Sequence, residues 1–110
     1  MKLYSKIHGH KGQDLIIMHG LFGMSDNWSS LGRKFSKYCR VHLIDLRNHG
    51  RSPHSIDFNY DVMCDDILEY IIANKITDPV ILGHSLGGKV AMKFAFTHPN
   101  KIKKLIIYWY

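Results

Sequence analysis

Short apolar runs alternate with longer segments whose apolar residues recur at helical spacing. Leu15-Ile16-Ile17-Met18, Val41-His42-Leu43-Ile44-Asp45, Val80-Ile81-Leu82 and Leu105-Ile106-Ile107-Tyr108 are each bounded by turn residues. Runs of that length read as strands, and Leu15 to Met18 as a buried one. Lys2 to His8 reads as an edge strand, followed by a turn over Gly9 to Asp14. Between the strands, Asp26 and Asn27 stand where they can cap a helix through Trp28, Leu31 and Phe35, although Gly32 weakens it. Asp61 is the expected cap of a second helix. Its apolar stripe is Met63, Ile67, Leu68, Ile71 and Ile72, and Asp65 and Asp66 sit in its first turns, where the helix dipole favours acids. A third helix buries Val90, Ala91, Phe94 and Ala95 and stops at His98-Pro99-Asn100.

Helical segments between short apolar strands predict an α/β fold: a mostly parallel twisted sheet with helices on both faces. In such sheets ligands lie beyond the C-terminal ends of the strands. His19, Asp45, Ser85 and Trp109 all fall at or just past those ends, so the informative residues should converge on one edge.

Gly83-His84-Ser85-Leu86-Gly87 follows one of these strands and opens a helix. A serine hydroxyl is a poor nucleophile until it is positioned and given a base. A tight strand-to-helix turn lifts it clear of the backbone, holds it in a strained conformation, and aims free helix amides at the reacting centre. Glycines two residues either side let strand and helix pass closely. Neither phosphate-loop spacing is present. The bland alternative, a glycine-rich turn with a capping serine, does not account for the strand before it and the amphipathic helix after it. Ser85 is therefore the candidate nucleophile. Acyl transfer also needs two donors aimed at the oxygen that becomes anionic. The backbone amide of Leu86 is one candidate. The amide of Leu21 is the other, in His19-Gly20-Leu21-Phe22-Gly23, where Gly20 permits close approach. His19, Gly20, Phe22, Gly83, His84 and Gly87 are expected to shape the site.

These two segments, with Asp45-Leu46-Arg47-Asn48-His49-Gly50-Arg51-Ser52-Pro53 and the continuation Gly88-Lys89, resemble the α/β-hydrolase superfamily. Within it they look like the YbfF-type branch of small bacterial esterases, over nearly the whole chain. The resemblance implies hydrolysis of small acyl esters or thioesters with no cofactor, Ser85 as nucleophile, and Leu21 and Leu86 as oxyanion donors. It also implies a chain order of serine, then acid, then histidine. Family members run to roughly twice this length or more. Residues 1–110 are thus expected to be the N-terminal part of one such domain, with no second domain, breaking off after about the sixth strand. Trp109 stands about where the branch can carry an aspartate. Base and acid are expected to be absent, leaving the chain catalytically incomplete. Carbon–carbon hydrolases, perhydrolases and thioesterases share these motifs; a dehalogenase would need a carboxylate at position 85. A non-catalytic remnant or binding module is the alternative from another class.

Eight histidines raise the question of a substitute base. His19 is expected beneath the oxyanion loop, His84 should leave the turn in another direction from Ser85, and His49 should pack the site floor. Asp45 reads as a loop-fixing carboxylate. His8, His10, His42, His54 and His98 read as surface or turn residues.

Composition narrows the partners. The chain of 110 residues is 45% hydrophobic and 22% charged, ordinary for a globular protein. Its formal charge is +6, but apart from Lys101, Lys103 and Lys104 the basic residues are dispersed, so no nucleic-acid surface is expected. No apolar stretch reaches signal-peptide or membrane-spanning length. Cys39 and Cys64 lack metal-ligand spacing, so no metal is expected and the location should be cytoplasmic. The last strand would be an apolar edge able to recruit another copy.

Overall fold

The computed structural model describes residues 1–108. Five strands form one sheet in the spatial order β1-β3-β2-β4-β5. They are β1 (Ser5–His8), β2 (Gln13–Met18), β3 (Cys39–Ile44), β4 (Val80–His84) and β5 (Lys104–Tyr108). Strand β1 runs antiparallel to β3, and every other pairing is parallel. The crossovers carry α1 (Ser29–Phe35), α2 (Tyr60–Ala73) and α3 (Leu86–Thr97). The expected mostly parallel architecture is therefore present, with five strands among the described residues. Trp109 lies outside them.

The central strands β2 and β3 bury residues on both faces of the sheet, because successive side chains of a strand point to opposite sides. On one side Ile16, Met18, Ile44 and Ile81 pack with Met63, Ile67 and Ile71 of α2 and Val90, Ala91 and Phe94 of α3. On the other, Leu15, Ile17, Val41 and Leu43 form a smaller cluster with Trp28, Val80 and Leu82. The short α1 lies on this side; a side chain added at Gly32 would touch Leu43.

Several local expectations need correction. Strand β1 begins only at Ser5. The first helical turn is a 3₁₀ segment, Ser25–Trp28, capped at Met24, whose amide donates to Asn27 Oδ1 at 2.9 Å. Helix α2 is capped by Asn59, not Asp61: Asn59 Oδ1 accepts from the Val62 amide at 2.9 Å. Ile72, assigned to the buried stripe, is 60% exposed. Asp66 turns inward instead of merely serving the helix dipole, and its carboxylate takes Arg47 in a two-pronged ion pair at 2.7 and 2.8 Å. His42 is fully buried rather than at the surface. It lies between Asp14 (2.8 Å from Nε2) and the Tyr70 hydroxyl (2.8 Å from Nδ1). A polar residue in the middle of an apolar run is tolerated because both of its nitrogens are satisfied.

Candidate functional site

The parallel register brings the three loop-bearing strand ends to one edge. Met18 is level with Ile44 on one side and with Gly83 on the other, so the loops after β2, β3 and β4 leave the sheet together.

Ser85 sits between β4 and α3 with φ +53° and ψ −112°. That is a left-handed conformation which a residue carrying Cβ adopts only when its surroundings force it. The forcing contacts are visible. A Cβ at Gly83 would overlap the Gly87 carbonyl, and one at Gly87 would overlap the carbonyl oxygens of Met18 and His19. Strand and helix therefore cross at backbone distance. The Ser85 amide donates to the Tyr108 carbonyl at 3.1 Å and the Gly87 amide to the His19 carbonyl at 3.1 Å, tying the turn to β5 and to the loop after β2. No described residue hydrogen-bonds the Ser85 hydroxyl.

The loop after β2 faces this turn. A Cβ built on Gly20 would lie 3.3 Å from Ser85 Cβ and 3.0 Å from His84 Nδ1. The Leu21 and Leu86 amides have no acceptor among the described residues, whereas the Phe22 amide donates to His49 Nε2 at 3.0 Å. Phe22 has φ +62°, and its side chain is 92% exposed. A cavity of about 320 Å³ opens here, lined by Gly20, Leu21, Phe22, Asn27, Trp28 and His84. The rings of Trp28, His84 and Tyr108 contact one another with centroids 5.3 to 6.3 Å apart. Two amides without acceptors near a half-buried hydroxyl could receive the carbonyl oxygen of a bound acyl group.

His19 lies beneath the loop. It is 1% exposed, its Nδ1–H donates to the Gly20 carbonyl at 2.7 Å, and its Nε2 accepts from the Leu46 amide at 3.0 Å. Burial lowers its pKa, against the opposing pull of the Gly20 bond. Its nitrogens are thus committed to the backbone. Asp45 fixes the loops: it is fully buried and accepts from the Ser25 amide at 2.5 Å and the Arg51 amide at 2.9 Å. His49 donates from Nδ1 to the Arg47 carbonyl at 2.9 Å. The structure thus brings Ser85, His84, Gly20, Leu21 and Leu86 together and sets His19 and His49 behind the loop. The Asp66–Arg47 pair escaped sequence reasoning because α2 and the loop are far apart in the chain. An arginine between apolar Leu46 and the polar loop was the available signal. Among the described residues no His/Cys/Asp/Glu group could hold a metal ion, and no helix is long and apolar enough to cross a membrane.

An outward serine on a glycine-pinched strand-to-helix turn, on a parallel sheet of this order, defines the α/β-hydrolase class. The family model for the alpha/beta hydrolase fold matches residues 15–107, and the chain belongs to that family. It is 43% identical over 93 residues to an esterase/lipase of Haemophilus influenzae, covering 84% of this chain and 32% of the relative. It is 34% identical over 97 residues to esterase YbfF of Escherichia coli, covering 88% and 38%. A marine microorganism esterase of known structure superposes with TM-score 0.95 at 47% identity, over 96% of this chain and 41% of that one. The expected likeness to YbfF-type esterases holds. The chain spans about a third of the length of these curated relatives.

Proposed function

We propose that residues 1–110 are the N-terminal part of one hydrolase domain. It attacks the carbonyl of small acyl esters or thioesters with Ser85 Oγ and holds the resulting oxyanion on the Leu21 and Leu86 amides. The observation that carries this is the left-handed Ser85, facing the Gly20 loop at van der Waals distance from where a side chain there would begin. The cavity beside it is near the lower end of the ~300–1,000 Å³ of ordinary ligand sites, and none of its lining residues carries a formal charge. That suits a small neutral acyl group.

The base and acid are assigned to polypeptide beyond these residues. His19 and His49 have both ring nitrogens engaged, and His42 is held by Asp14 and Tyr70. In this family acid and histidine follow the serine along the chain. With the triad incomplete, only ~10³–10⁴-fold catalysis over water remains, from the oxyanion hole and binding. The engagement of His19 and His49 favours a second reading, a binding module that keeps the hydrolase half-fold. Lys104 to Ile107 have no strand on their outer side among the described residues, and self-association along that edge follows from this arrangement. A reducing cytoplasmic setting suits the two free thiols.

An alkyl fluorophosphonate tests the reading, because it reacts only with an activated serine. Covalent mass addition mapped to Ser85, and lost in Ser85→Ala, supports a hydrolase. A folded protein that also carries the polypeptide assigned the base and acid, and still stays unlabelled over hours, supports the binding module.

A further inference from the structure

The Phe22 conformation raises a specific question. An exposed aromatic residue with φ +62° is costly, and the loop that carries it holds one of the two candidate oxyanion donors. Something must fix it. The only side chain among the described residues that hydrogen-bonds the backbone of Leu21 or Phe22 is His49, whose Nε2 accepts the Phe22 amide at 3.0 Å. The ring is oriented in turn. Its Nδ1–H donates to the Arg47 carbonyl at 2.9 Å, it lies against His19 with centroids 4.9 Å apart, and Phe58 flanks it at 6.1 Å. Arg47 is anchored by Asp66 of α2 at 2.7 and 2.8 Å and by the Asp57 carbonyl at 2.8 Å.

We propose that His49 is the positioning residue of the oxyanion loop. Held as the Nδ1–H tautomer by the Arg47 carbonyl, it engages the Phe22 amide and fixes the peptide unit after Leu21, while the unit that carries the Leu21 amide is held through the Gly20 carbonyl by His19 and the Gly23 amide. This rests on the hydrolase reading for its consequence but not for its geometry. Two adjacent amides compete for any nearby oxygen. Occupying Phe22 N–H removes it from that competition and fixes the peptide plane that follows Leu21, so that the Leu21 dihedrals are set between two held planes at no reorganisation cost when the substrate oxygen becomes charged. His19 hydrogen-bonds the Gly20 carbonyl, which shares a peptide plane with the Leu21 amide, and the Leu46 amide. His49 holds the plane after it, so the candidate donor lies between two anchored peptide units.

The requirement is an acceptor at the Nε2 position, and three substitutions separate that from mere packing. His49→Gln places an amide oxygen near Nε2, His49→Asn reaches only the Nδ1 position, and His49→Phe keeps the ring without an acceptor. Labelling of Ser85 by an alkyl fluorophosphonate is expected to stay within about threefold of the parent rate in His49→Gln. It should fall about tenfold or more in His49→Asn and His49→Phe, since loss of a whole oxyanion donor costs ~10²–10³. Two readouts need no reactivity. Imidazole ¹⁵N shifts of the full chain should report the Nδ1–H tautomer at His49, and hydrogen exchange at the Phe22 amide should accelerate in His49→Asn and His49→Phe but not in His49→Gln. Equal labelling and equal exchange in all three variants would overturn the proposal, as would an Nε2–H tautomer. A serine that never labels in the protein carrying the polypeptide assigned the base and acid, with a tautomer and Phe22 exchange that follow the pattern, would sink the hydrolase reading and keep the anchor.

Discussion

Removing Asp66 should do more damage than removing any other single surface-remote carboxylate of α2, and the reason lies in Arg47. The guanidinium is 7% exposed and the carboxylate 2%, and they meet through two parallel bonds. That bond holds the guanidinium pKa above its ordinary value. Asp66→Ala would leave a buried cation with only the Asp57 carbonyl. Breaking a buried pair from one side costs ~3–5 kcal/mol, most of it the uncompensated charge. Domains of this size have a total of ~5–15 kcal/mol, and each kcal/mol moves the midpoint by ~4–8 °C. Thermal unfolding followed by circular dichroism should therefore show a loss of at least ~12 °C, or no cooperative transition. The double substitution Arg47→Met with Asp66→Leu removes both charges and fills similar volume, and should recover most of the loss. If Asp66→Ala costs under about 1 kcal/mol, or the double variant is as unstable as the single, the pair is not a buried charge pair in solution.

Gly87→Ala must push the helix start off the Met18 and His19 carbonyls. It should cost about 1–3 kcal/mol or more, read by urea unfolding, because the clash is with backbone; a neutral result would mean the crossing is looser than described. At Ser85 the backbone strain belongs to any residue with Cβ, so Ser85→Gly should be more stable than Ser85→Ala by about 1 kcal/mol, with equal stabilities refuting the strained turn. Burial first of all lowers the pKa of His42, with the Asp14 bond opposing, and burial likewise lowers that of His19. A folded-state value below the unfolded one means the unfolded chain takes up protons first as pH falls. Stability is thus full above about pH 6.5, the ordinary histidine value. It declines as pH falls through that value toward the folded ones, and urea midpoints at pH 7.5 and 5.5 should differ in that direction. His42→Gln should flatten the dependence, and an unchanged slope would place the proton uptake elsewhere.

Strand and helix existence was legible because it depends on local periodicity. Leu15 to Met18 and Val80 to Leu82 are apolar throughout, as strands covered on both faces must be. The turn at Ser85 was legible because its glycines answer a steric demand confined to five residues. Polar side chains inside the fold were not. His42, Asp14 and Tyr70 come from β3, β2 and α2, and nothing local distinguishes a histidine that will find two partners from one that will face water. Capping failed at Asp61 for a similar reason: Asn59 and Asp61 are both suitable residues, and which one caps depends on where the loop from Pro53 enters α2.

His49 shows where the boundary falls. Its sequence neighbours assign it to the loop after β3, and packing at the site floor was the natural reading. Its specific role needs three facts that no single segment contains. Arg47 is immobilised by a helix begun thirteen residues later, Phe22 is held at positive φ in a loop from a different strand, and the parallel register brings both loops to the sheet edge that carries Ser85. The candidate nucleophile is encoded locally. The geometry around its oxyanion donors is carried by contacts running from α2 through Asp66, Arg47 and His49 to Phe22. Stability of α2 and protection of the Phe22 amide from exchange should therefore fall together in Asp66→Ala, even in variants kept folded at low temperature. In His49→Phe, by contrast, that protection should fail while the ion pair survives.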